Sequence, residues 1–149
     1  MARDLAEFFG PLNEEQVDAL VEAMVLAADA DGELSSDEEA TVVHRLSALA
    51  VAKGAALRFT EAELTARIGF ARTRIAAAGR EPRIAAVKLQ LGDVDALRGA
   101  LALAVCVVAS DGIVRTSERE VLDELATGLG LEADEAADLV IEFSARAPA

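Results

Sequence analysis

The chain has no tryptophan and no tyrosine, and only one cysteine, one histidine and five phenylalanines among its 149 residues. A single cysteine excludes an internal disulfide framework. The lone histidine, His44, would have to serve any Ser-His-Asp machinery, and no serine sits among the glycines of a nucleophile elbow. Few aromatics and few β-branched runs argue against sheets. The longest apolar run, Leu101–Ala109, falls far short of the roughly 20 residues of a membrane-spanning helix. The first residues carry acids where a secretory signal needs a basic segment followed by an apolar one. These absences lead to the expectation of a cytosolic protein that is neither an enzyme nor integral to a membrane.

What is present favours helices. Hydrophobic residues make up 53% of the chain, and most are Ala, Leu and Val, side chains small enough for helices to pack closely. The length suits one domain with a substantial core, and no Ser/Pro-rich linker divides it. The spacing predicts a short helix over 3–9, closed by Gly10-Pro11. A long helix follows from Asn13 to about Ala30, with Gln16 completing a capping box and Val17, Leu20, Val21, Met24 and Val25 on one face. Further helices are expected from Ser35 to Gly54, from Thr60 to Ala78, from Pro82 to Leu91, and from Asp93 through the apolar run. Two more should span about Ser117–Leu129 and 133–145. The run 101–109 is apolar around most of its circumference, as a buried central helix would be. The expected fold is all-α, a compact array of about seven helices in a single domain over 1–149.

Charge is unevenly spread. Residues 1–43 hold 12 acids and 1 base, residues 44–115 hold 11 bases and 6 acids, and residues 116–149 hold 9 acids and 2 bases, within a net charge of -13. The overall sign argues against general nucleic-acid binding, because phosphate neutralisation needs clustered Lys and Arg. The middle bases Arg67, Arg72, Arg74, Arg80, Arg83 and Lys88 could form a local anion-binding patch. No aromatics interleave with them to stack on bases.

A repeat emerges at an offset of 80. Asp31-Gly32 aligns with Asp111-Gly112, Leu34 with Val114, and Glu38 with Glu118, each at the junction of an apolar helix with an amphipathic one. The spacing from Gly32 to Glu38 is that of positions 6 and 12 in an EF-hand calcium loop, and Asp29 and Asp31 fall on positions 3 and 5. Position 1 is Ala27, however, and in the second copy positions 1 and 3 are Val107 and Ala109. Calcium takes six to eight oxygens, so neither loop is a competent EF-hand. Two readings remain open. In one, Ser35-x-x-Glu38 is simply a capping box. In the other, the acids are a cation site. In the second copy Arg115 cannot cap, so the cap is expected to shift to Thr116 or Ser117, with Ser117 and Glu120 forming the box and leaving Glu118 without that task.

The stretch from Ala27 to Glu39 (AADADGELSSDEE), the stretch from Val108 to Glu120 (VASDGIVRTSERE) and Leu129-Gly-Leu131 together resemble the TerB-like family of tellurite-resistance proteins, over about residues 15–145. The resemblance implies an all-α array of about seven helices with internal pseudo-symmetry. It also implies a bacterial cytoplasmic protein linked to tellurite resistance and wider stress responses, acting with other Ter-system proteins at the inner membrane face. No enzymatic activity follows from it. The family's acidic positions fall on Asp31, Glu38, Asp111 and Glu118, while Arg115 departs from the small polar residue often found there. If pseudo-symmetry brings the loops together, these four carboxylates, with Asp29 as a further candidate, could share a divalent cation. Oxygen-only ligands suit calcium or magnesium. The competing reading is a metal-free helical interaction module whose acidic surface binds a basic partner. Cys106 is expected to be a buried, inert thiol, and His44 a surface or partly buried structural residue.

Overall fold

The computed structural model describes residues 5–10, 12–28, 35–52, 60–109 and 115–144. Among them there are seven α-helices, one short 3-10 helix at Leu5–Phe8, and no β-strand. The helices are α1 (Glu14–Ala28), α2 (Ser36–Ala52), α3 (Glu61–Ala78), α4 (Arg80–Leu91), α5 (Val94–Val108), α6 (Thr116–Gly128) and α7 (Ala133–Ser144). None is long and apolar enough to cross a membrane. The all-α expectation holds.

Several helix ends follow from local chemistry. Asn13 and Gln16 cap α1 reciprocally: Gln16 N–H donates to Asn13 Oδ1 at 2.8 Å, and Asn13 N–H donates to Gln16 Oε1 at 3.0 Å. Thr60 Oγ1 accepts Glu63 N–H at 3.1 Å and opens α3. Asp93 accepts Ala96 N–H at 3.3 Å and opens α5. Gly79, with φ at +90°, ends α3 by donating its N–H to Ile75 O at 2.8 Å.

The same glycine launches α4, which begins at Arg80 rather than at Pro82. Gly79 is both the C-cap of α3 and the N-cap of α4, so the chain passes from one helix to the next through a single residue. Pro82 then sits in the first helical turn, where a backbone N–H would lack an intrahelical partner. In place of the helix expected over 3–9, of which residues 3 and 4 lie outside the described residues, the first element is a 3-10 helix that ends at Phe8. Its Phe8 packs against Phe143 of α7, with ring centroids 5.8 Å apart.

α1 and α5 form the centre and pack on one another. Every residue from Ala19 to Ala28 is buried, and so is every α5 residue from Gly99 to Val108. α3 and α4 cover α1, while α7 and the 3-10 helix cover α5; α6 touches both central helices and α2 lies chiefly against α5 and α3. The buried side chains form one contiguous core to which all seven helices contribute. Each fully buried Leu or Val contributes about 1.5–3 kcal/mol relative to exposure. Gly99 lets the 3-10 helix settle on α5, since a Cβ there would lie 2.3 Å from Phe9 Cζ. Cys106 is buried in α5 as expected.

Candidate functional site

Asp29, Asp31, Gly32, Asp111 and Gly112 lie outside the described residues, and so does the expected meeting of the two acidic loops. Glu38 and Glu118 are described. Each is the third residue of its helix, where a glutamate can fold back on the amide that precedes the helix. Glu38 Oε1 accepts Ser35 N–H at 3.0 Å, and Ser35 Oγ accepts Glu38 N–H at 3.0 Å. The expected capping box is therefore present in full at α2.

At α6 the arrangement differs from the expected one. The helix starts at Thr116, so Arg115 is the capping residue. Glu118 Oε1 accepts Arg115 N–H at 2.9 Å, and Arg115 Nη1 lies 3.5 Å from the same oxygen. Glu118 thus has the capping task expected of Glu120, and Ser117 and Glu120 are exposed. The reason is geometric. A glutamate at this place reaches the N-cap amide whatever side chain the N-cap carries, and here the arginine also offsets its charge. Glu118 is 9% exposed, the more enclosed of the two glutamates.

Both carboxylates are hard oxygen donors of the kind calcium and magnesium accept. Among the described residues, no three His, Cys, Asp or Glu side chains cluster tightly enough to hold a metal ion. A cation site at these junctions therefore needs the loop acids as well as Glu38 and Glu118. His44 is exposed and lines a cleft of about 440 Å³ between α2 and α3, together with Glu39 and Glu61 rather than Glu38.

The most enclosed charge among the described residues escaped the sequence reading. Glu22, only 1% exposed, is the sole ionisable residue between Ala19 and Ala28. Arg83 grips it with two bonds, Nε to Oε2 at 2.5 Å and Nη2 to Oε1 at 2.8 Å, and Arg74 Nε donates to Oε1 at 3.1 Å. A buried carboxylate is tolerable only with this degree of pairing. Hydrogen bonding to Glu22, which accepts from Arg83, raises the pKa of the Arg83 guanidinium above its ordinary value; desolvation opposes that shift and the charge of Glu22 reinforces it. Nearby, Arg80 Nη2 donates to Leu26 O at 2.7 Å and also pairs with Glu124, while Arg67 pairs with Asp18.

The basic middle of the chain is consequently not an open anion-binding patch. Four of its six members, Arg67, Arg74, Arg80 and Arg83, tie α3 and α4 to α1 and α6. The detectable signal was a single acid inside a ten-residue apolar stretch, in a chain with an arginine-rich pair of helices downstream. No protein-family model, no curated protein and no solved structure matches this chain.

Proposed function

We propose that the chain is a TerB-like, non-enzymatic helical module of a bacterial stress response that includes tellurite resistance. In this reading it works in the cytoplasm with other Ter-system proteins at the inner membrane face. It is one domain, made of two related helix–loop–helix units about a pseudo-two-fold axis. The observation that carries the reading is the register between the halves. α1 and α5 are each 15 residues long, and both ends of α5 lie 80 residues beyond those of α1. α2 and α6 begin at Ser36 and Thr116, again 80 apart, and Glu38 and Glu118 accept the amide that precedes each helix. Packing supports it too, since α1 and α5 lie together at the centre.

Asp31 with Glu38, and Asp111 with Glu118, are the proposed ligands of a divalent cation, calcium or magnesium, with Asp29 as an additional oxygen donor. A bound cation would neutralise acids at the two helix starts. Each glutamate uses Oε1 in its cap. Thermal melting in 10 mM calcium or magnesium, compared with chelator, tests the assignment. A site with a dissociation constant of about 1 mM would stabilise the fold by about 1.4 kcal/mol, a rise of roughly 3–6 °C for a chain of this size. Asp31→Asn with Asp111→Asn should abolish the rise. No rise in the native chain contradicts the cation assignment.

The capping bonds themselves favour a second reading, a metal-free interaction module that binds a basic partner. Glu38 and Glu118 each have a folding task that needs no ion. Under that reading, Glu38→Gln and Glu118→Gln keep the caps, and melting is the same with metal and with chelator.

A further inference from the structure

We propose that the groove between α4 and α6 docks a basic amphipathic helix of a partner protein. The proposal rests on the interaction-module reading and gives it a place on the fold. The groove has a volume of about 550 Å³. It is lined by Ile84 and Ala85 of α4 and Thr127 and Gly128 of α6, together with the acids Glu81, Glu120, Asp123 and Glu124. On α6 the lining positions 120, 123, 124, 127 and 128 recur at the spacing of one helix face. They form a stripe about 12 Å long at 1.5 Å per residue. On α4 the lining positions 81, 84 and 85 follow the same rule.

The valley is therefore walled by two helices, the surface into which the ridge of a third helix packs. Gly128 sets its depth. A Cβ at that position would lie 2.4 Å from Ile84 Cγ2, so glycine lets α6 sit down directly on α4.

Charge selects the occupant. Among the described residues, no cationic side chain lines the groove. Glu124 is tied to Arg80, with Arg80 Nη2 2.8 Å from Glu124 Oε1. Glu81, Glu120 and Asp123 are exposed and make no ion pair among the described residues. Three like charges around an apolar strip are unfavourable by themselves, and a partner helix with Lys or Arg flanking an apolar ridge satisfies both features. An acidic peptide, a nucleic acid or an anionic membrane would be repelled. A second copy of this chain suits the groove poorly, because its net charge is -13 and four of its five middle arginines, Arg67, Arg74, Arg80 and Arg83, are already paired with acids of their own chain.

The test is fluorescence anisotropy at about 0.15 M salt with a labelled model helix of leucines flanked by lysines, and a counterpart in which glutamates replace the lysines. The native chain is compared with Glu81→Gln/Glu120→Gln/Asp123→Asn and with Ala85→Arg. A control of equal charge change elsewhere on the surface is Glu132→Gln/Asp134→Asn/Asp138→Asn, whose positions are exposed. The groove triple should weaken binding of the lysine helix about tenfold, the control less than about twofold. Ala85→Arg, at an exposed position, should remove binding while leaving the circular dichroism spectrum unchanged. Equal losses in groove and control variants, or no loss in the groove triple, overturn the groove and leave the interaction reading standing. Failure of the native chain to bind the lysine helix, or equal binding of the glutamate helix, overturns both.

Discussion

Replacing Glu22 by alanine should be among the most damaging single changes to this fold. The carboxylate is 1% exposed, while the side chains of Arg74 and Arg83 are 36% and 19% exposed. Removing one member of a buried, hydrogen-bonded ion pair costs about 3–5 kcal/mol, chiefly because the remaining charge is stranded. Both arginines keep some access to water, so the lower end, about 3 kcal/mol, applies here. For a chain of this size that lowers the melting temperature by roughly 6–12 °C.

Glu22→Gln keeps the volume and one acceptor oxygen and should cost less, about 2 kcal/mol. The combined Glu22→Leu/Arg74→Leu/Arg83→Leu replacement strands nothing and should recover most of the loss, because buried ion pairs are often exchangeable for well-packed apolar groups. Urea and thermal unfolding followed by far-ultraviolet circular dichroism measure all three. A loss below about 1 kcal/mol for Glu22→Ala, or a triple replacement worse than the single one, would refute the clamp as a balanced buried network.

Other consequences follow from single contacts. Arg83→Ala should destabilise more than Arg74→Ala, because Arg83 makes two bonds to Glu22 and Arg74 one; parallel melts of the two variants check the order. Thr60→Ala removes the side-chain cap of α3 and should cost about 1 kcal/mol by chemical denaturation. Gly99→Ala drives a methyl into Phe9 and should cost about 1–3 kcal/mol, with partial rescue by Phe9→Leu in the same melting assay. Glu118→Ala should weaken the start of α6 by about 1 kcal/mol, whereas Glu118→Gln, which keeps the acceptor, should be near neutral in hydrogen-exchange protection of that helix.

The parts of this fold legible in the sequence are those governed by neighbours along the chain. α3 runs from Glu61 to Ala78, as expected, because its two ends are a threonine cap and a glycine of positive φ, both local devices. The start of α5 after Asp93 and the capping boxes at Asn13 and Ser35 belong to the same class. Where two local options compete, the sequence pattern misplaces the helix start by a turn or less. Ser117 and Thr116 both look like better caps than Arg115, yet Glu118 reaching back decides the start of α6. Pro82 looks like a first helical residue, but Gly79 caps both helices and α4 starts at Arg80.

Pairing across the fold is what the sequence conceals. Arg74 and Arg83 meet Glu22 over separations of 52 and 61 residues, and apart from the lone acid in an apolar stretch nothing local distinguishes a clamp of this kind from an exposed basic patch. The acids of the groove are similar. Glu81 lies on α4 and Glu120 and Asp123 on α6, and only the packing of those helices around Gly128 brings them to one rim. Of the proposed cation ligands, Glu38 and Glu118 are legible as first-turn acids, since their spacing from the preceding Asp-Gly is short and repeated.

The proposed cation site requires the two Asp-Gly…Glu junctions to act as a pair. Titration of the ¹⁵N-labelled chain with calcium and with magnesium to millimolar concentration, followed amide by amide, addresses it directly. The paired cation reading predicts that signals of 29–38 and 109–118 shift together, along one binding curve, and that Asp111→Asn alone suppresses the shifts of both segments. Shifts confined to one junction, or none at millimolar metal, would contradict it.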